Sequence, residues 1–284
     1  YGMYDLETAM QLASLLLIFV TIFIFIERRS RRRAVFSIAG SVYKPLNLSQ
    51  LRGYKNLLAF IACLLPIFIG FILPVLELSY WALNYKLDFF NQKFISTALN
   101  TLYLSITAAF LCTLLALIIN FSIRYKTNNL LKFLSSFLTV GYAVPGLILA
   151  IGVMRLLTFL DRNFTIEMFN LVLTGSLIGL MMAYIIKSYA LSSSTFDAGF
   201  ERISPRIDDV ARSLKTSGWN LLSKVHVPLL KTSFLTSMLL VVAEVIKELP
   251  ATLILRPFNF DTLAVSTYVY AAEERMYDAA APSI

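Results

Sequence analysis

The sequence predicts an all-α fold, a polytopic bundle of helices that cross a membrane. Of its 284 residues, 58% are hydrophobic and only 15% are charged, whereas soluble proteins average about 25% charged residues. A transmembrane helix needs about 20 predominantly apolar residues, and several stretches meet or approach that length. These predicted spans are residues 9–26, 57–83, 94–123, 130–160, 168–191 and 232–255.

The basic residues predict the orientation of the spans. Most lysines and arginines lie in the segments that follow the first, third and fifth spans. Cytoplasmic loops carry an excess of these residues, so we expect those three segments to be cytoplasmic. The net charge of +8 is placed beside apolar spans and is not interleaved with aromatic residues, which argues against nucleic acid as a partner.

Few residues could build a metal, redox or catalytic site. Cys63 and Cys112 both lie in apolar runs, so we expect two buried thiols and no disulfide. His226 is the only histidine, which argues against a histidine-based zinc or haem site. The sequence contains no Gly-rich phosphate loop of the Walker type. It also shows no residue set typical of an intramembrane enzyme.

The two ends of the sequence resemble each other. The tripeptide Met-Tyr-Asp occurs at residues 3–5 and again at 276–278, before an apolar run in each case. With no initiating Met, both ends are interpreted as cut, and the repeat indicates a tandem duplication. The expected parts are 1–26, the last transmembrane helix of a preceding half; 27–56, a basic cytoplasmic linker; and 57–284, a second half with its last helix missing.

Residues 201–230, in the third basic segment, carry the most specific pattern. Ser204 is a predicted N-cap with Pro205 at the first helical position. Apolar residues then recur at helical spacing over 207–214 and predict a single apolar face. A second helix is expected from about Gly218. Physical chemistry alone leaves two readings open, helices lying on the lipid surface or a docking surface for a partner.

The spacing in this segment resembles a loop of ABC-importer permeases. In that family Glu-Ala-Ala is followed by three residues, Gly, nine residues, Ile, one residue and Leu-Pro. The matching positions here are Asp209, Val210, Ala211, Lys215, Val225, Val227 and Pro228. Lys215 departs most from the pattern, because glycine permits backbone conformations that lysine avoids. The geometry of the turn at Lys215 is therefore left open, and Gly218 is the candidate to take over the role of the glycine.

The resemblance implies a bundle of the ABC-importer permease type that crosses a bacterial inner membrane several times. We call residues 201–230 the coupling loop, because in this family the loop docks on the ATP-hydrolysing subunit. The implied partners are two cytoplasmic ATPase subunits, which carry ATP and Mg, a periplasmic substrate-binding protein and the lipid bilayer. The permease itself is then no enzyme and binds no cofactor. ATP-driven movement of the loop would switch the helices between inward-open and outward-open states.

The sixth predicted span contains three charged residues. Glu244 and Glu248 are predicted to lie one turn apart on the same helix face, with Lys247 three residues after Glu244. Pro250 is expected to kink or break the helix. Charges within a span are costly and should face the protein interior. They would either form an internal ion pair or line a translocation path. Lys187 in the fifth span is expected to pair with an acid or to extend towards the membrane surface.

Residues 247–264 resemble the ferric-iron branch of these permeases, and this stretch is more specific for cargo than the loop is. Ferric iron prefers oxygen ligands, but no metal-ligating residue can be assigned. Thiamine, sulfate and phosphonate remain alternative cargoes for an importer. A secondary transporter is the alternative outside that class.

Overall fold

The computed structural model describes residues 53–85, 91–126, 129–165 and 172–284, together with part of residues 11–26. Every regular element among these residues is helical, so the all-α prediction is confirmed. Each described residue between 11 and 26 is also helical. The predicted linker, 27–56, lies almost wholly outside the described residues.

We number the helices in chain order from residue 54. They are α1 Tyr54–Asn84, α2 Gln92–Tyr125, α3 Asn129–Thr139, α4 Gly146–Leu160, α5 Leu177–Glu201, α6 Pro205–Ser213, α7 Trp219–Leu229, α8 Lys231–Ile246, α9 Pro250–Leu255, α10 Leu263–Ala272 and α11 Met276–Ser283. The chain divides into two compact units, Tyr1–Val20 with Gln92–Ser266, and Thr21–Asn91 with Thr267–Ile284.

Among the described residues, three helices are long and apolar enough to cross a membrane. These are α1, α2 and α5, and the pair α7–α8, bent by 76°, is a fourth candidate. The predicted spans 57–83 and 94–123 are therefore confirmed. The prediction of one helix over 130–160 is wrong. Val144 is extended (ψ 126°) between α3 and α4, because a residue that precedes a proline, here Pro145, is disfavoured in the helical region.

The predicted fifth and sixth spans need corrected boundaries. α5 begins after the Ser176 cap, later than predicted, and continues to Glu201. The apolar pattern missed its last turns because Ser192 and Ser193 are polar, although both are buried against other helices. The sixth span ends at Ile246 and resumes at Pro250, as the missing proline N–H requires.

The core of the first unit is the packing of α2 against α5 and α8. Small side chains allow two membrane helices to approach closely, and α2 presents one at every fourth position on its buried face: Thr97, Thr101, Ser105, Ala109 and Thr113. Hydroxyl groups then bond across the helices. Thr113 and Ser237 are 3.0 Å apart, and Ser237 donates to Ser192 at 2.9 Å.

The two cysteines differ in burial because their helices differ in packing. Cys112 is buried at the interface of α2 with α5, as predicted, whereas the prediction that Cys63 is buried is wrong. Cys63 lies on α1, whose most apolar window has no residue buried within the described part of the chain. Its exposed apolar side chains are compatible with lipid contact.

The second unit pairs α1 with α11. α1 contains Pro66 and passes through one π-helical turn at Phe68–Ile72, a rearrangement that accommodates an interruption of the helical hydrogen bonds. Tyr277 stacks on Tyr85, with ring centroids 3.9 Å apart, and meets Trp81 edge-on at 5.5 Å.

Candidate functional site

The coupling loop folds into two short helices, α6 and α7, as its sequence predicts. Ser204 Oγ accepts a hydrogen bond from the backbone N–H of Arg206 at 3.4 Å, and Pro205 is the first residue of α6. α7 begins directly after Gly218. The boundary with the next span falls at Leu230, two residues after Pro228, where α7 and α8 meet at 76°.

Lys215 adopts a backbone conformation that favours glycine. Its φ is +59°, in the left-handed region. Thr216 N–H donates to the carbonyl of Ala211 and Lys215 N–H to that of Arg212, both at 2.9 Å. This is the Schellman motif that ends many helices. Gly218 (φ +56°, ψ −128°) serves a separate turn before α7.

The residues of the predicted apolar face of α6 do not all point the same way. Val210 and Leu214 are 59% and 74% exposed, whereas Ala211 is buried. On α7, Trp219 is 69% exposed. We call the exposed residues of the two helices the outer face of the coupling loop: Ile207, Asp209, Val210, Leu214 and Trp219. Near the bend, Val227 and Pro228 are exposed and Val225 is half-buried.

The inner side of α6 is held by an ion pair that sequence analysis missed. Asp208, the residue before the matched triplet, is buried. Its Oδ2 accepts a hydrogen bond from Nε of Arg124, the basic residue near the end of α2, at 2.8 Å. The two residues are 84 positions apart in the sequence, so no local pattern connects them.

His226 is fully buried beside the same carboxylate. Its Nε2 lies 3.0 Å from Asp208 Oδ1, and its ring packs between Phe121 and Phe200, each 5.4 Å away between centroids. Burial lowers the pKa of His226; the Asp208 carboxylate opposes this shift and the charge of Arg124 adds to it. A lowered pKa keeps the imidazole neutral at neutral pH, so Arg124 supplies the positive charge that balances Asp208.

A cavity of about 480 Å³ opens beside Arg124 and Lys132, between α2, α3 and α5. Its walls include the carboxylates of Asp197 and Glu201 and the hydroxyls of Ser135 and Ser136. Oxygen atoms therefore face this cavity from two helices.

A second charged contact lies where the sixth span is interrupted. Lys187 Nζ on α5 donates to Glu248 Oε2, and their side chains are only 17% and 6% exposed. The other oxygen, Oε1, accepts from Ala251 N–H at 3.4 Å. Gly146 touches the pair so closely that a Cβ there would lie 2.7 Å from Oε1. Of the two alternatives for Lys187, the structure shows pairing with an acid.

Glu244 and Glu248 do not share a helix face, so that prediction is wrong. α8 ends at Ile246, and Glu248 turns towards α5 while Glu244 pairs with Lys247 at 2.9 Å. Lys247 is 69% exposed. Of the two pairs at this interruption, Lys187–Glu248 is therefore the internal one.

The segment after the interruption is tied to α2. Leu263 N–H donates to Thr101 Oγ1 at 2.9 Å, and Asn100 Nδ2 donates to the Asp261 carbonyl at 3.3 Å. Asp261 also forms an ion pair with Arg256. Phe258, at the tip of this turn, is completely exposed.

Among the described residues, no group of three or more His, Cys, Asp or Glu side chains is placed to hold a metal ion.

Comparison with solved structures identifies the architecture. The chain superposes on a chain of a bacterial alginate ABC transporter in complex with an alginate pentasaccharide-bound periplasmic protein, with a TM-score of 0.61, 19% identity, and coverage of 81% of this chain and 88% of that one. The chain has the fold of an ABC-importer permease. A second structure of a bacterial alginate importer gives a TM-score of 0.60 at 16% identity.

The sequence relatives of this chain are named for two different cargoes. The Fe(3+)-transport system permease protein FbpB 2 of Haemophilus influenzae is 23% identical over 98% of this chain, which spans about half of that relative's length (54%). A permease of Salmonella typhimurium named for 2-aminoethylphosphonate transport, PhnV, is 26% identical over 71% of this chain and 74% of its own length. No family model matches the chain.

Replacing Lys215 tests the left-handed turn of the coupling loop. We expect Lys215→Gly to raise the free energy of unfolding by about 1 kcal/mol, because the Cβ penalty of the left-handed conformation is removed. Thermal unfolding of the detergent-solubilised protein measures the change. Lys215→Ala removes the charge but keeps Cβ, so it should give no such gain. An equal gain from both variants would assign the effect to charge instead of backbone strain.

Breaking the internal ion pair should destabilise the bundle. We expect Lys187→Ala or Glu248→Ala to cost roughly 3–5 kcal/mol, since each leaves one buried charge without its partner. The double variant Lys187→Met/Glu248→Leu should unfold closer to wild type than either single variant. The exposed pair provides the control, because Lys247→Ala should cost less than about 1 kcal/mol. Equal losses for Lys247 and Lys187 would contradict the assignment.

Proposed function

We propose that this chain is the membrane-spanning permease part of an ATP-driven importer in a bacterial inner membrane, and that it passes ferric iron from a periplasmic binding protein to the cytoplasm. The coupling loop is the main support for this proposal. On a fold shared with ABC-importer permeases, it presents two short helices whose outer face is exposed and whose inner side is fixed by Asp208.

The outer face is proposed as the docking surface for an ATPase subunit. It combines large apolar side chains, such as Leu214 and Trp219, with the carboxylate of Asp209. An interfacial helix on lipid also presents apolar residues outward, but it needs no rigid attachment of its inner side. The buried Arg124–Asp208 contact provides such an attachment. Two ATPase subunits, each holding ATP and Mg, would bind the complete permease, and this chain would hydrolyse nothing.

Ferric iron is proposed as the cargo on two grounds. The Haemophilus influenzae relative, named for Fe(3+) transport, matches nearly the whole chain. The cavity beside Arg124 and Lys132 also carries carboxylates and hydroxyls, the kind of donor that a hard cation prefers. Since the described residues form no metal cluster, iron would meet single carboxylates and hydroxyls in passing, which favours release over retention.

The translocation path is proposed to run past the interruption of the sixth span. Discontinuous helices line the substrate sites of many transporters, and here Glu248 lies between α8 and α9. Glu244 and Lys247, at the end of α8, would stand on the same route. A cation could reach Glu248 by replacing the ammonium group of Lys187.

A phosphonate is the second candidate cargo. The Salmonella typhimurium relative carries that name, and a negatively charged solute would pair with Lys187 in place of Glu248. The two cargoes therefore engage opposite members of one ion pair.

Variants of the outer face test the docking proposal. Val210→Asp should abolish co-purification with the ATPase and ATP-dependent uptake, because it places a second carboxylate beside Asp209 in an apolar contact. Its 59% exposure means that folding should survive, as measured by thermal unfolding. Ala211→Leu is the matched comparison, since Ala211 is buried and the larger side chain should lower stability first. ATPase binding that is unaffected by Val210→Asp would exclude this face.

Uptake measurements test the cargo. A strain that lacks this gene should lose binding-protein-dependent uptake of radioactive ferric iron, and the gene should restore it. Uptake of 2-aminoethylphosphonate, thiamine and sulfate is measured in parallel. Loss of one of these solutes with normal iron uptake would replace iron as the cargo while leaving the importer class intact.

A further inference from the structure

Arg124 joins several elements at one point near the end of α2. Nε donates to Asp208 Oδ2 on α6 at 2.8 Å. Nη1 and Nη2 donate to the carbonyl oxygens of Phe200 and Ile203 at 2.7 and 2.9 Å. Phe200 lies in the last turn of α5, and Ile203 lies in the turn before α6. One side chain thus contacts α5, α6 and their connection.

Asp208 extends the contact to α7. Its Oδ1 lies 3.0 Å from His226 Nε2, so the two carboxylate oxygens face different helices. His226 is fully buried, and the ring of Phe200 that packs on it also lies 5.6 Å from the guanidinium carbon of Arg124. Both helices of the coupling loop therefore meet at the same point, where Asp208 Oδ1 and His226 Nε2 lie close together without a hydrogen bond between them.

The geometry of the loop makes this attachment mechanically important. α6 has nine residues and is connected by a turn at Ser204 and by two positive-φ positions, Lys215 and Gly218. A push on its exposed outer face could rotate α6 about these turns. A guanidinium with several fixed donors resists such rotation, because its planar fork defines the orientation of its acceptors.

We propose that Arg124 is a positioning residue for coupling between the ATPase and the membrane helices. By holding Asp208 and the end of α5 together, it makes movement of the coupling loop pass into α2 and α5 instead of being lost in rotation of α6. This inference rests on the proposed function of the loop.

The test compares Arg124→Ala with wild type in the complete permease–ATPase complex in proteoliposomes. ATP should still bind and be hydrolysed, but the amount of solute moved per ATP should fall by about tenfold or more, within the usual range of coupling between sites. Arg124→Lys should fall between the two, because lysine keeps the charge and loses the fork. Lys126→Ala is the control, since it removes an exposed positive charge two residues away and should leave the ratio unchanged.

Hydrogen exchange of the permease without its ATPase gives a second readout. Amides of α6 should exchange faster in Arg124→Ala than in wild type, while those of α2 should not change. Asp208→Asn, which keeps the side-chain shape, repeats both measurements if Arg124→Ala fails to assemble.

The outcomes separate the inference from the function on which it rests. If the wild-type and Arg124→Ala complexes both couple normally, the role of Arg124 alone is overturned. Exchange of α6 that is unchanged in Arg124→Ala would overturn it as well. A wild-type permease that neither binds an ATPase nor shows ATP-dependent uptake would overturn the proposed function, and the role of Arg124 with it.

Discussion

The close approach of α2 to α5 and α8 is the constraint on which the rest of the first unit depends. An apolar medium offers no water to a polar group, so hydroxyls inside the bundle must bond to one another or to the backbone. Ser237 achieves this with both Thr113 and Ser192, and Asn120 donates to Ser193 at 3.1 Å. These contacts form at one rotation and one height of the helices, so they fix the register of all three.

That register places two charged side chains opposite their partners. Lys187, in the middle of α5, reaches the interruption of the sixth span, and Arg124, near the end of α2, reaches the coupling loop. The first contact joins α5 to the break between α8 and α9, and both border the proposed path. The second joins the same bundle to the surface proposed for the ATPase. Rigid packing between the two contacts would transmit a movement at one of them to the other.

Sequence reasoning predicted the features that depend on local chemistry. Apolar length located α1 and α2, and Ser204 with Pro205 located the start of α6. It failed where tertiary contacts decide: which of the neighbours Asp208 and Asp209 faces inward depends on the rotation of α6 against α2. The conformation of Lys215 also escaped it, since the hydrogen bonds that end α6 outweigh the preference of lysine for negative φ.

The position of Trp219 has a practical consequence. The chain contains two tryptophans, and the other, Trp81, lies on α1 in the second unit. Trp219 is solvent-exposed on the coupling loop, so its indole would leave water when a protein covers that surface. In a Trp81→Phe background, the emission of this single fluorophore would shift to shorter wavelength on binding. The protein thus carries its own optical reporter of docking, without an attached dye.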